Sequence, residues 1–303
     1  MKKNRQKWQL LGSSITGSTH LKKGLLNQDA IKYVPKDGNG NLAIMAVADG
    51  HGNAINFRSD KGSKFAVDAG IKVLLNIIIV TQDIVSLDNI HSLKNIVYSS
   101  LPKAVCQEWE YMVDVDIAKN PFTAEEEIHL KTKLGSSPIT PEKARVVYGS
   151  TLLLAAIKDF FAIYAQISDG DILVVGKDEK VSTPTKKERE PLKNETAPSS
   201  LWHPNNWNEF DVNFQVIYGY EHLPELILLS TDGYSNSFAT SKKEGFEKIG
   251  SRYLSVIRSE GIDVMQAHLE DILTQTSERG SGDDITLGII AMKVDEESSR
   301  DGI

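Results

Sequence analysis

The chain has one cysteine, Cys106, in 303 residues. A single thiol can form neither an internal disulfide nor a thiolate metal cluster, and doing without disulfides fits a reducing compartment. Histidine is also sparse. The seven are scattered and none pair at ligand spacing, so zinc would lack its usual donors. Positive charge is in the minority. A net charge of -7 argues against a nucleic-acid binder, which carries a basic face. It also means that an anionic substrate must be attracted locally, for example by bound cations. Long apolar runs are missing. VLLNIIIV at 73–80 is too short to span a bilayer. The basic start MKKNRQKWQLLGSSITG has no hydrophobic region of signal-peptide length. A cytoplasmic protein with no membrane partner is expected.

What is present is ordinary for a soluble globular chain: 40% hydrophobic and 25% charged residues. The length suits one large sandwich or α/β domain. The organising stretch is Leu42 to Asn53, LAIMAVADGHGN. Its apolar run, Ala43 to Ala48, predicts a strand buried on both faces. The run leads straight into Asp49-Gly50-His51-Gly52. Strand backbone would hold the carboxylate rigidly, and the glycines let the main chain turn with its carbonyls bare. His51 is the nearby group able to exchange a proton near neutral pH. Together these suggest a hard metal ion with a proton donor beside it. Asp-Gly is also a common hairpin turn, and Asp37-Gly38 in PKDGNGN reads as one. Asp49-Gly50 differs because a helical pattern follows it instead of a second strand.

Along the chain, 8–16 reads as a strand and 17–27 as a polar loop. NQDAIKYV is a half-buried strand with Asp29 at its start, and 35–41 is a hairpin. Helical spacing covers 62–80 and 86–113, with Pro102 placed to kink or split the second helix. Residues 114–145 are an elaboration with a capping box at Thr123–Glu126 and a helix start at Thr140-Pro141. GSTLLLAAI and FFAIYAQIS, joined by Lys158-Asp159, form a tight antiparallel hairpin. Asp169-Gly170 is placed like another hairpin turn, before ILVVG. Residues 177–213 read as a flap-like loop. ELILLSTDGYSNS repeats the strand-Asp-Gly-helix shape at Asp232-Gly233, with a capping box at Ser241–Glu244 opening the helix. A further helix covers about 262–276. GSGDDITLGIIAMKV is a strand begun by Asp283-Asp284, and 294–303 is a polar tail. One domain over 1–303 is expected.

Asp29, Asp49, Asp169, Asp232 and Asp283 all stand where an apolar strand meets a loop. Any one alone could be a turn or a cap. If the sheets bring these ends together, the carboxylates repel and need cations between them. All-oxygen ligation selects Mg²⁺ or Mn²⁺.

The series NQDA, VADGHGN, GSTLLLA, QISDGD, LLSTDG and GSGDDITLGII resembles the metal-dependent PPM/PP2C family of serine/threonine phosphatases, its bacterial stand-alone members most. The motifs follow family order from about 12 to 293. The resemblance implies an α+β fold, a four-layer α-β-β-α sandwich of two antiparallel sheets flanked by helices, with the metals at one end of the sheets. It implies that Asp49 bridges two Mn²⁺ or Mg²⁺ ions and that Gly50 offers its carbonyl. Asp232 and Asp283 would hold the first ion and Asp29 the second, with Asp169 matching the aspartate of a third, weaker one. His51 matches the histidine that protonates the leaving alkoxide. The implied reaction is hydrolysis of phosphoserine and phosphothreonine by a metal-bridged water. The implied partners are phosphorylated proteins and a cognate serine/threonine kinase, and the expected state is a monomer.

Four positions depart from the family pattern. The family's phosphate-gripping arginine, five residues before Asp29, is Gly24 here; Lys22 or Lys23 are the candidate substitutes, although lysine lacks the bidentate fork. Asn53 replaces a glycine. Ser168 and Gly170-Asp171 change the surroundings of Asp169. Asp284 stands where asparagine is common. Two other readings follow from the residues. One is a non-catalytic binding module on the same fold, favoured by the absent arginine. The other is a haloacid dehalogenase-like phosphotransferase built on Asp169-x-Asp171, which requires parallel strands.

Overall fold

Alternation along each strand decides which side chains go to which face, and here both faces are buried. In Leu42–Ala48 (β4), Ala43, Met45 and Val47 point into one apolar cluster while Ile44, Ala46 and Ala48 point into another. The computed structural model describes residues 7–81, 86, 89–135, 138–185, 199–238, 245–246 and 248–293. Two sheets account for the two faces. The first has the order β3 (Asn39–Gly40), β1 (Trp8–Ile15), β11 (Ile285–Met292), β10 (Leu226–Ser230), β7 (Asp171–Val175), β8 (Val181–Ser182). The second has the order β2 (Ala30–Val34), β4, β5 (Leu152–Lys158), β6 (Phe161–Ile167), β9 (Asp211–Val216). Every pairing among the described strands is antiparallel. That removes the haloacid dehalogenase-like alternative, whose strands run parallel through helical crossovers.

Met45, Leu153, Tyr164, Ile227, Leu229 and Ile290 fill the space between the sheets. Each such side chain, fully buried, stabilises the fold by about 1.5–3 kcal/mol. Two long helices, α2 (Ser59–Thr81) and α3 (Ile90–Lys119), cover the outer face of the second sheet. Trp109 of α3 is fully buried and donates from Nε1 to the Gly62 carbonyl at 3.0 Å. Pro102 lies inside α3, which runs on without a break. The outer face of the first sheet is covered by α7 (Ile249–Glu260) and α8 (Ile262–Arg279), through Tyr253, Leu254, Met265, Leu269 and Leu273. The result is the expected four-layer α-β-β-α sandwich.

Three segments differ from the sequence expectation. Residues 18–23, read as polar loop, form a short helix, α1 (Ser18–Lys23), ended by Gly24 in a left-handed conformation at φ 67°. Within 177–213, read as loop, β8 pairs with β7, and β9 starts at Asp211 as the edge of the second sheet. β9 reads as polar because Val212, Phe214 and Val216 lean on the core while Asn213 and Gln215 do not. The elaboration is largely helical: α3 runs on to Lys119, and α4 (Ala124–Leu134) and α5 (Pro141–Ala144) follow. Thr123 and Glu126 make the expected reciprocal cap, with Thr123 N donating to the Glu126 carboxylate at 2.8 Å. The Ser241–Glu244 box and the 294–303 tail lie outside the described residues.

Candidate metal centre

Strand register alone places the aspartates in pairs. Ala30 faces Ala48 across the β2–β4 ladder, so one step further Asp29 faces Asp49. Ser230 faces Asp171 across β10–β7, so Asp232 and Asp169 both lie just past the same end of that ladder. Asp232 opens a one-turn helix, α6 (Asp232–Ser235). The same ends of both sheets therefore carry carboxylates, and the Asp49 carboxyl lies within hydrogen-bonding reach of both Asp29 and Asp232. The charges of Asp169 and Asp283 both act on Asp232.

The backbone around Asp49 is fixed on every side. Its N–H donates to Thr151 Oγ1 at 2.9 Å, and its carbonyl accepts from Thr151 N at 2.9 Å and Ser150 Oγ at 3.0 Å. Gly50 N donates to the Gln28 carbonyl at 3.0 Å. The Asp-Gly pairs divide as the sequence suggested. Gly38 and Gly170 have left-handed backbone, φ 72° and 100°, as turn glycines do. Gly50 and Gly233 lie outside that region and are needed for close approach instead. A Cβ on Gly50 would stand 2.5 Å from the Ser59 carbonyl oxygen and 2.7 Å from that of Gln28, and one on Gly233 would strike the Asp284 carbonyl. Gly50→Ala is expected to cost about 1–3 kcal/mol or more, seen as a lowered thermal unfolding midpoint.

Asp29 is held away from water, and Asp49 and Asp232 partly so. Asp29 is buried; Thr231 Oγ1 donates to its Oδ2 at 2.8 Å, while Oδ1 is buried and meets no standing donor among the described residues. Burial first, and the charge of Asp284 second, push the Asp29 carboxyl up to about 7, against the rival pull of the Thr231 bond. Burial, then the charges of Asp29 and Asp232, push Asp49 well above the usual carboxylate range. Burial and the charge of Asp169 raise Asp232. No three acidic, imidazole or thiol side chains among the described residues close into a ready-made cage. Instead Asp29, Asp49 and Asp232 form a row of contacts that protons can hold together. An oxygen-only donor set with a partnerless buried oxygen suits a hard divalent cation, which would take the place of those protons.

His51 stands beside this row. Its backbone N–H donates to the Gly149 carbonyl at 3.0 Å, and its buried Nε2 has no hydrogen-bond partner among the described residues. Burial lowers its pKa, Asp169 works the other way, and His203 adds to the lowering.

A sequence profile described as protein phosphatase 2C matches residues 16–274. The chain belongs to the protein phosphatase 2C family. No curated protein matches the sequence. Solved structures do. One is PppA, described as a key regulatory component of T6SS in Pseudomonas aeruginosa, at 17% identity over 94% of this chain and 98% of that one, TM-score 0.55. Another is the catalytic domain of the serine threonine protein phosphatase PstP in complex with 2 manganese ions, at 14% identity, 95% and 100% coverage and TM-score 0.52. A third is the S. agalactiae serine/threonine phosphatase, at 16% identity, 94% and 100% coverage and TM-score 0.50. At these identities the likeness speaks for the fold.

Within this protein phosphatase 2C fold, conformation bears on Gly24, the position that the sequence resemblance sets against the family's arginine. Gly24 closes α1 in the left-handed region, where a residue with a side chain is strained. Lys22 and Lys23 are exposed on the last turn of α1, and among the described residues no ion pair joins either to the aspartates. Asp283 is half exposed and Asp169 is exposed. Asp284 is the most tightly bound of the group. Its carboxylate accepts from Gly17 N and Gln28 N, both at 2.7 Å, and lies 2.9 Å from His20 Nδ1. It thereby ties the loop before Asp29 to the start of β11. His20 and Thr231 were not legible as site residues: a lone histidine in a polar loop and a threonine in STDG carry no spacing signal.

Proposed function

We propose that the chain is a divalent-metal-dependent phosphatase acting on phosphoserine and phosphothreonine in proteins. The protein phosphatase 2C fold supports protein phosphatase function in general. The observation that carries the finer reading is the row Asp29–Asp49–Asp232, buried at Asp29 and half-buried at Asp49 and Asp232, with Asp169 and Asp283 acting on its outer end. Asp29, Asp49, the Gly50 carbonyl, Asp232 and Asp283 would hold two Mn²⁺ or Mg²⁺ ions, and Asp169 a third. When bound, such ions lower the pKa of a water and neutralise phosphoryl oxygens.

The rest of the chemistry belongs to the chain. The strand ends hold the carboxylates on rigid backbone. Water forms a new bond to phosphorus as the bond from phosphorus to the serine or threonine oxygen breaks; the bonding pair passes to that oxygen, which takes a proton from His51. Such proton donation contributes about 10²–10⁴-fold. Because burial holds His51 low, its protonated form is lost on the acid side of 6.5, its ordinary value. Asp169 opposes that lowering. Asp169→Asn is therefore expected to lower the His51 pKa further in the metal-free protein, read from an NMR titration of the imidazole.

The proposed partners are phosphorylated proteins and a cognate kinase, met by a monomer in the cytoplasm. The test is phosphate release from a phosphothreonine peptide by metal-stripped protein, the same protein with Mn²⁺ restored, and Asp232→Asn with Mn²⁺. Release is expected in the second case alone. A second reading, a non-catalytic binding module, draws on Gly24 in place of the arginine. Tight Mn²⁺ binding with no release from several phosphopeptides would favour it.

A further inference from the structure

The elaboration between α3 and β5 grips one particular stretch of the molecule, the loop 51–58 that carries His51. Arg58 is the main attachment. It is buried, and its guanidinium makes a forked pair with Glu126 of α4, Nε to Oε1 at 3.1 Å and Nη2 to Oε2 at 2.8 Å. It also donates to the Asn120 carbonyl and to Tyr148 Oη, at 2.8 and 2.9 Å, and lies 4.6 Å from the centre of the Phe122 ring. Further along α4, His129 Nε2 stands 2.8 Å from the Ala54 carbonyl. A carbonyl only accepts, so Nε2 carries the hydrogen. Phe57 meets both Phe122 and His129 edge-on.

The elaboration's return segment laces the same loop from the other side. Arg58 N donates to the Val147 carbonyl at 2.9 Å, Asn56 Nδ2 to the Val146 carbonyl at 2.5 Å, and His51 N to the Gly149 carbonyl at 3.0 Å. Gly149 itself leaves no room: a Cβ there would stand 2.8 Å from His51 Cδ2 and 2.6 Å from Asn56 Nδ2. The chain then passes into Ser150 and Thr151, which hold the Asp49 backbone.

Loops are ordinarily the less rigid parts of a fold, and a proton donor displaced by about 1 Å can lose much of its effect. We infer that α4 is a positioning clamp for His51, with Glu126 and His129 as positioning residues that hold the 51–58 loop against the sheet. This rests on the reading of His51 as the group that protonates the leaving oxygen, but the clamp itself can be tested without activity.

The variants are Glu126→Gln and His129→Ala, both away from the core, singly and together. Hydrogen exchange followed by mass spectrometry reports on the loop. The double variant is expected to exchange at least about tenfold faster over 51–59 and to be unchanged in the central strands β5, β6 and β11. The kinetic signature is a split by leaving group. Turnover of a phosphothreonine peptide, whose alkoxide needs a proton, should fall about tenfold or more. Turnover of p-nitrophenyl phosphate, whose phenolate leaves without one, should stay within about twofold, and Mn²⁺ affinity should not change. Unchanged exchange over 51–59 would overturn the clamp whatever the kinetics. Equal losses on both substrates would overturn the link to His51. A wild-type protein inert towards both would sink the phosphatase reading, while the exchange data would still judge the clamp.

Discussion

Asp49→Asn is expected to abolish Mn²⁺-dependent phosphate release, by about 10³-fold or more, while making the metal-free protein more stable. The two effects share one cause. Asp49 touches both neighbouring carboxyls, and its charge is disfavoured by burial and by theirs. An amide at that position is uncharged and can donate to Asp29 and Asp232, which the carboxylate can do only when protonated. A buried charge lacking a partner costs several kcal/mol, so the metal-free variant should melt higher than the metal-free wild type at pH 8. A cation finds one fewer anionic ligand at the centre of the row, and the function is lost. Calorimetric melting and phosphate release on the same preparation check both halves. A variant less stable than wild type without metal would show that the Asp49 carboxylate is a structural partner and not a stored repulsion.

The metal-free protein is expected to lose stability as pH rises from about 5 to about 8, and Mn²⁺ to restore it increasingly over the same range. Asp29 is raised from 3.8 to about 7 in the folded state, so the folded protein holds that proton more tightly than the unfolded chain does. Its contribution is complete below the unfolded value and disappears as pH rises through the folded one. The slope is roughly 1.4 kcal/mol per pH unit for each such group between the two values. Asp49 acts in the same direction. The opposite class is present too. Asp116, despite some burial, is lowered by bonds from Tyr148 and Lys61, and Glu126 is lowered by Arg58. Those contributions are lost only as pH falls through the acid range. His51, lowered by burial, acts inside the window with the opposite sign, because the unfolded chain keeps its proton up to the ordinary 6.5 and the folded one does not, so the loss read from 5 to 8 is that of the aspartate row net of this gain. Unfolding midpoints with and without Mn²⁺ across that window provide the measurement. A gap that stays constant would contradict the assignment.

Much of the fold was legible because its signals are local. Alternation in LAIMAVA and its neighbours marked strands, and the lack of a strand after Asp49-Gly50 and Asp232-Gly233 separated them from the turns at Asp37-Gly38 and Asp169-Gly170. The structure gives that separation a physical basis: two glycines are set by conformation and two by backbone contact. What was missed depends on distant partners. α1 is too short to show periodicity and is held through Gly17, Ser18 and His20 by residues some 260 positions away. β9 is an edge strand whose polar face hid it. Asp284 seemed a lesser neighbour of Asp283, yet it is the residue that two backbone N–H groups and an imidazole surround. Lys22 and Lys23, the candidate replacements for the missing arginine, stay on an exposed turn.

The most direct measurement is a calorimetric titration of metal-stripped protein with Mn²⁺ at pH 6 and pH 8, in buffers of different ionisation enthalpy so that released protons are counted. Because burial and mutual repulsion raise Asp29, Asp49 and Asp232, binding should release more protons at pH 6 than at pH 8, and Asp49→Asn should bind far more weakly. Proton release that is absent at both values, or binding unaltered in Asp49→Asn, would mean that the cation sits elsewhere and that the aspartate row is not the metal centre.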